Sequence, residues 1–162
     1  MLGFALGALP STRARAAGRL GALRPALALV AVAAIIPQYV VLAAGTHLRN
    51  SQQAFNAGNG ARARSEALAA KAIEPWAASS YLELGFVEEQ EGKQSSGSDA
   101  QAHFTAAAHW LDEAISRSRR DWTLWAIAAR IEARRGRTGP ARRDLAEVRR
   151  LNPHSLLFQG GP

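Results

Sequence analysis

The four histidines are the first residues to consider for chemistry, because imidazole binds metals and transfers protons near neutral pH. No two of them stand three or four residues apart, the spacing that presents two metal ligands on one helix face. The chain has no cysteine, which excludes disulfides, thiolate metal sites and a thiol nucleophile. We therefore expect no metal and no cofactor, and we interpret each histidine as hydrogen-bonded or solvent-facing. The four are His47, His103, His109 and His154.

Carboxylates and hydroxyls also lack the partners that catalysis requires. Glu88, Glu89 and Glu91 cluster near the end of a predicted helix, but no base or nucleophile accompanies them, and we interpret them as a solvated face. The serines within residues 95–98 have no Gly-x-Ser-x-Gly frame, and no glycine-rich phosphate loop occurs in the chain. The sequence thus predicts that the protein is not an enzyme.

Arginines dominate the region from Arg117 to Arg150, where eleven of them face four acidic residues, a local excess of +7. Such a region could bind an anionic glycan. The alternative is a solvated pair of helices stabilised by ion pairs at four-residue spacing, such as Glu113 with Arg117 and Arg143 with Glu147. Nucleic acid is not expected, because the topology argued next places this region outside the cytoplasm.

An uncharged segment, residues 26–44, follows an arginine-rich leader. As a helix it would cover roughly 28 Å, close to the ~30 Å hydrocarbon thickness of a bilayer. Basic residues beside a membrane helix tend to stay cytoplasmic. We predict a protein of a bacterial plasma membrane, in contact with the lipid bilayer. Its parts are a cytoplasmic leader at 1–25, a transmembrane helix at 26–44 and an extracytoplasmic helical domain at 45–162.

Two other interpretations of the apolar segment stay open. A basic leader, a short apolar stretch and small residues near Ala43 also fit a cleaved signal peptide. A buried helix of a soluble protein fits less well, because nothing polar interrupts residues 26–36 on any face. The apolar residues 1–9, followed by Pro10, are typical of the end of a preceding membrane helix, which suggests a portion of a larger multi-span protein.

The region after the apolar segment has no strand pattern and is rich in Ala, Leu, Arg and Glu, so we predict an all-α fold. Turn-forming residues divide it into helices of roughly 12 to 16 residues. The predicted breaks are at residues 56–60, 74–75, 91–99, 119–121, 135–140 and 152–153.

Two segments share one spacing of residue types, which we call the repeat frame. Tyr81 and Trp125 are each followed by small or apolar residues three and four positions later, and by Glu88 and Glu132 seven positions later. This frame resembles the tetratricopeptide repeat, a helix-turn-helix unit of 34 residues. The unit from Trp122 to Ser155 has that length.

The preceding unit, residues 78–121, is ten residues too long, and we place the surplus in a flexible insertion at 93–101 between its helices. The predicted architecture is one transmembrane helix followed by a short tetratricopeptide-like solenoid of antiparallel helix pairs. The residues that the frame assigns to packing between repeats are Tyr81, Leu84, Gly85, Ala107, Leu111, Ala114, Trp125, Ala128, Ala129, Ala141, Leu145, Val148 and Pro153.

What the tetratricopeptide resemblance implies is a concave groove, lined by the first helix of each unit, that binds an extended segment of a protein partner. Phe86, Glu89, Arg130 and Arg134 would face that groove.

A last membrane helix followed by such repeats is similar to the C-terminal tail of bacterial O-antigen ligase/polymerase-like membrane proteins. In that family a catalytic loop between earlier helices transfers lipid-linked glycan, and none of that loop occurs in this sequence. The resemblance implies a non-catalytic, partner-binding portion of a surface-glycan assembly protein. The alternative is a complete anchored or secreted tetratricopeptide scaffold unrelated to glycan transfer.

Overall fold

The computed structural model of the protein describes residues 39–155 and residue 158. Within that part of the chain six α-helices follow one another and no strand occurs, so the predicted all-α fold is confirmed. Turns of two to four residues join the helices, and each helix from the second onwards packs against the next. The helices are α1, residues 39–56; α2, Gly60–Ile73; α3, Ala78–Gln94; α4, Gly97–Arg117; α5, Trp122–Arg134; and α6, Thr138–Leu151.

The predicted membrane helix, residues 26–44, overlaps the described residues only at 39–44, and the predicted leader at 1–25 lies outside them. Residues 39–44 belong to α1, which continues without a break across the predicted boundary at residue 45. In the described ranges, no helix combines the length and the apolar composition that are needed to cross a membrane. Backbone contacts divide the chain into two units, Met1–Tyr39 and Val40–Pro162, and α2 to α6 belong to the second.

Local sequence explains where the helices start and stop. The side-chain oxygen of Asn59 accepts a hydrogen bond from the backbone N–H of Arg62 at 3.0 Å, which satisfies one of the free donors at the start of α2. Asp121 caps the start of α5 in the same way. Gly58 and Gly136 follow α1 and α5 with φ of 72° and 73°, a left-handed conformation that glycine adopts without steric cost.

The connection between α3 and α4 differs from the predicted flexible insertion, and that prediction is wrong. Only residues 95 and 96 are non-helical there, while α3 has 17 residues and α4 has 21. The surplus residues therefore add helical turns to both partners of the pair. Gly97, with φ of 60°, permits the tight reversal between them.

The interface between α3 and α4 is the best-packed part of the core. Leu111 of α4 is buried in one apolar cluster with Tyr81 of α3, and Leu84 of α3 is fully buried as well. A Cβ placed on Gly85 would lie 3.3 Å from Leu111 Cγ, and one placed on Gly92 would lie 2.9 Å from the ring of Phe104. These glycines are two helical turns apart on α3, so they let α4 approach along that length.

Tyr81 joins the first turn of α3 to the end of α4. Its hydroxyl donates to the carbonyl of Pro75 at 2.9 Å. The guanidinium of Arg117 lies 3.7 Å from the centre of the Tyr81 ring and donates to the same hydroxyl at 2.7 Å. Arg117, which begins the arginine-rich region, therefore holds the fold together through cation–π and hydrogen-bond contacts.

The structure buries ten of the thirteen residues assigned to packing between repeats. Trp125 is partly buried and donates its indole N–H to the Arg119 carbonyl at 2.9 Å. Leu145 and Pro153 differ from the prediction, because both are exposed, Leu145 to 40%. In the described part of the chain no helix follows α6, and Phe158 is the described residue that lies against this face, with its ring centre 4.8 Å from the Arg149 guanidinium. The ten buried residues are Tyr81, Leu84, Gly85, Ala107, Leu111, Ala114, Ala128, Ala129, Ala141 and Val148.

Candidate functional site

A cavity of about 380 Å³ lies on one face of α1, α3 and α5. We call it the groove. Alternate helices of the chain therefore contribute to one surface, as expected when successive hairpins stack. Three of the four residues predicted to face a groove, Phe86, Glu89 and Arg130, line this cavity. The full lining is Gln52, Phe55 and Asn56 from α1, Glu83, Phe86, Glu89 and Lys93 from α3, and Arg130 from α5.

The groove combines an apolar surface with a charged wall. Phe55 and Phe86 are half-buried and present aromatic area toward it. Gln52 and Asn56, one turn apart on α1, add amide groups that can both donate and accept hydrogen bonds. Few convergent polar groups on an apolar surface are typical of a binding site.

Glu89 is the centre of the charged wall, and the expectation that it belongs to a solvated face is wrong. Its side chain is 3% exposed. Arg130 Nη2 lies 2.6 Å from Oε2, while Lys93 Nζ and Arg134 Nε each lie 3.2 Å from Oε1. Arg134, the fourth predicted groove residue, thus reaches the site by pairing with Glu89. We call Glu89, Lys93, Arg130 and Arg134 the groove tetrad.

Glu83 lines the deeper part of the groove and is also buried. Desolvation by burial raises the pKa of its carboxyl. Ser51 Oγ lies 2.9 Å from both Glu83 Oε1 and the carbonyl of Ala63, and its single hydrogen can serve only one of them.

Glu88 lies on the other side of α3 and is 2% exposed. One carboxylate oxygen pairs with Arg64 of α2, and the other lies 2.9 Å from His103 Nδ1 of α4. Glu88 therefore joins three helices, and its interpretation as a solvated residue is wrong as well. Glu88 is buried because both α2 and α4 pack against α3.

The other histidines also have partners inside the described part of the fold. His47 Nδ1 lies 2.7 Å from Glu66 Oε2, and the His109 ring lies 5.3 Å from that of Trp110. Across the described residues, no three His, Asp or Glu side chains converge in a way that could hold a metal ion.

The structure distributes the arginine-rich region, Arg117 to Arg150, over separate clusters. Arg130 and Arg134 bind the groove glutamate, and Arg135 and Arg137 approach Glu132 to 2.6 Å and 3.5 Å. Of the two ion pairs suggested by four-residue spacing, Glu113 with Arg117 is present at 2.7 Å. Glu147 pairs with Arg150, three residues later.

Carboxyls from three helices approach one another beside Glu132. Burial and the negative charges of Glu132 and Asp112 raise the pKa of Asp144 to about 6. Burial and Glu132 also raise the pKa of Asp112. This arrangement disfavours ionisation of Asp144 in the folded protein, where each neighbouring carboxylate adds repulsion.

Asp144→Asn should therefore stabilise the protein at pH 7.5 and have no effect at pH 3.5. Between about pH 4 and pH 6 the unfolded chain releases this proton while the folded protein keeps it, so the wild type loses stability as pH rises. The shift corresponds to ~3 kcal/mol, which solvent screening of a half-buried carboxyl reduces to about 1 kcal/mol. Urea unfolding across this pH range measures the gain.

The control for Asp144→Asn is Asp99→Asn. Asp99 is an exposed carboxylate in the first turn of α4, where negative charge stabilises a helix, so its removal should lower stability slightly at pH 7.5. If Asp144→Asn increases stability equally at pH 3.5 and pH 7.5, repulsion between ionised carboxylates is not the cause of the gain.

Comparison with known proteins found neither a family model nor a curated protein that matches this chain. The function of the groove is therefore inferred from its geometry and charge.

Proposed function

We propose that residues 45–162 form a non-catalytic, tetratricopeptide-like module that binds an extended segment of a protein partner in the groove. The observation that carries this proposal is the composition of one surface: alternate helices α1, α3 and α5 place two half-buried phenylalanines beside a cluster of charged side chains. Apolar area supplies affinity, and the charged groups supply orientation and specificity.

We further propose that the module is held at a bacterial plasma membrane by residues 26–44, with the module on the extracytoplasmic side. The support is the uncharged segment that follows four arginines. An alkaline wash should leave the intact chain in the membrane pellet, and a tag at the C-terminus should be accessible from outside the cytoplasm. Release of a shortened form would favour a cleaved signal peptide instead.

The larger context is proposed to be an O-antigen ligase-like surface-glycan assembly protein, of which this chain would be the C-terminal portion. The competing proposal is a stand-alone scaffold. The DNA upstream of the first codon distinguishes them, because a continuous reading frame with further hydrophobic spans is expected only for the first.

Crosslinking tests the groove directly. A photoreactive amino acid at Phe86 in the source bacterium should give a discrete protein adduct, whereas the same group at Trp76, which is 65% exposed away from the groove, should not. Arg130→Gln with Arg134→Gln should reduce the adduct roughly fivefold or more, because charged hydrogen-bond donors are lost from the wall. Glutamine is preferable to glutamate, which would place a second carboxylate beside buried Glu89.

The matched control for the crosslinking pair is Arg142→Gln with Arg143→Gln, two exposed arginines on α6. Their loss removes the same charge from a different surface and should leave the adduct unchanged. Equal yields at Phe86 and Trp76, or equal effects of the two arginine pairs, would refute the groove as the binding surface.

A further inference from the structure

We infer that the groove selects partner segments in which a carboxylate side chain lies next to an aromatic or branched apolar one. This inference rests on the proposed peptide-binding function and adds the chemical class of the ligand. It is carried by the charge balance of the groove tetrad and by the aromatic surface beside it.

The tetrad carries more positive than negative charge. Lys93, Arg130 and Arg134 contribute three cations against the single carboxylate of Glu89, a local excess of +2. The glutamate is buried, while the three cationic side chains remain 39% to 48% exposed. An approaching ligand therefore meets the cations first, and their donors that do not contact Glu89 are free to bind a second carboxylate.

Glu89 offsets only one of the three positive charges of the groove tetrad. The carboxylate holds two guanidinium groups and an ammonium group close together, although these would otherwise repel one another. Two of the cations come from consecutive turns of α5, Arg130 and Arg134, and Lys93 is one turn from Glu89 on α3. Glu89 is thus a positioning residue that arranges three donors on one wall, and the side-chain oxygen of a glutamine at this position can still accept from them.

Glu83 does not reverse the excess. It lies in the same groove lining, where burial raises the pKa of its carboxyl. Even with Glu83 ionised, three cations face two carboxylates, and the local excess is +1. The remaining polar lining groups, the amides of Gln52 and Asn56, carry no charge.

The apolar half of the recognition comes from Phe55 and Phe86. They line the same cavity of about 380 Å³ that Arg130 and Lys93 line, which is enough room for one aromatic or branched side chain beside a carboxylate. A purely polyanionic ligand would leave this aromatic surface in contact with water. The mixed surface therefore favours a peptide segment over a highly charged glycan.

Peptide selection with a charge series tests the inference. The full chain and two charge variants of it are used to select from a phage-displayed library of random peptides, and a Phe55→Ala, Phe86→Ala variant is the aromatic control. Wild type has a tetrad charge of +2. Glu89→Gln raises that charge to +3, and the combination Glu89→Gln, Lys93→Gln, Arg130→Gln and Arg134→Gln sets it to zero without leaving a buried charge unpaired. Circular dichroism verifies that each variant is helical.

Acidic residues beside aromatic or branched apolar ones should be enriched with wild type, enriched more strongly with Glu89→Gln, and lost with the neutral combination. The best acidic peptide, resynthesised, should bind the neutral combination roughly tenfold or more weakly, and its affinity for wild type should fall with added salt. The matched peptide with Asn and Gln in place of the acids should bind wild type as weakly.

Each other outcome has a distinct meaning. Enrichment of basic peptides, or of peptides without charge preference, overturns the inference while leaving the proposed peptide-binding function in place. If no peptide is enriched over a Phe55→Ala, Phe86→Ala control, the proposed function itself fails. Binding of an acidic glycan to wild type, with no enriched peptide, would replace the peptide by a saccharide ligand.

Discussion

Leu111→Ala should lower the free energy of unfolding by about 3 kcal/mol, because the truncation leaves a cavity at the centre of the α3–α4 interface. Leu111 is 1% exposed, and its Cγ lies where a Cβ on Gly85 would be only 3.3 Å away. The two helices are held at this distance by glycine and alanine contacts along their length, so they cannot collapse onto the empty space without further shifts. Urea unfolding followed by circular dichroism measures the loss.

Leu145→Ala is the matched control, since it makes the same chemical change on α6. Leu145 is 40% exposed, so its truncation removes little buried area and leaves no enclosed cavity. We expect a loss below about 1 kcal/mol. Comparable losses for the two variants would mean that α6 is covered by something outside the described residues, or that α4 is less tightly packed than its burial indicates.

Both variants also test whether stability is a sum of local interfaces, as the proposed stack of helical hairpins requires. In a stack of helical hairpins each hairpin contacts only its neighbours, and stability is a sum of local interfaces. The Leu111 site belongs to an interface with partners on both sides, through α3 and α5, whereas the outer face of α6 has none among the described helices. Because of that difference in position, we expect Leu111→Ala to lower the free energy of unfolding much more than Leu145→Ala does.

The helix boundaries were predictable from the sequence because their causes are local. Asn, Asp, Gly and Pro determine turn geometry within a few residues, and five predicted breaks coincide with observed turns or helix ends after α1, α2, α4, α5 and α6. The sixth, between α3 and α4, was predicted as a long insertion. Gln, Ser and Gly are common in loops, but here interhelical packing through Gly92 extends α3 as a helix to Gln94.

The groove was only partly predictable. A repeat frame places Phe86, Glu89 and Arg130 on the first helices of two units, and the structure brings these residues to one cavity. The frame assigns positions on a helix face, but it does not specify the side-chain pairing that brings Lys93 and Arg134 to Glu89. It also assigns no groove residue to α1, whose Phe55 is one of the two phenylalanines that line the cavity.

Buried glutamates were the features that sequence reasoning missed. Charged residues at helix ends are usually solvated, so Glu88 and Glu89 gave no sign of burial by type alone. A signal was nevertheless present, because Glu88 and Glu132 occupy the same place in the shared frame. Both approach arginines in the folded structure, Arg64 and Arg135 respectively. At both places where the frame occurs, the acidic residue seven positions after the aromatic is paired with an arginine.

The pairing of Glu88 leads to an asymmetric prediction: Arg64→Met should destabilise the protein by about 2 kcal/mol, whereas Glu88→Met should change stability by less than about 1 kcal/mol. Removing Arg64 leaves a carboxylate that is 2% exposed with only the His103 ring as a side-chain partner. Removing Glu88 leaves Arg64, whose side chain is 48% exposed and can turn to water. Methionine fills the vacated space in either case.

A double-mutant cycle measures the coupling between the two residues. Arg64→Met should cost little once Glu88 is already methionine, so the double variant should resemble Glu88→Met, with a coupling energy of about 2 kcal/mol. Arg62→Met is the control, because Arg62 is an exposed arginine two residues away on the same helix, and its substitution should change stability by no more than about 0.5 kcal/mol.

If Arg64→Met and Glu88→Met lower the free energy of unfolding equally, the cost of an unpaired buried carboxylate is not the cause. Equal losses would indicate instead that the ion pair contributes net attraction, since each variant would then remove the same favourable interaction. The asymmetry is expected because the two charges differ in solvation: water can replace Glu88 as the partner of Arg64, but it cannot reach Glu88 between α2, α3 and α4.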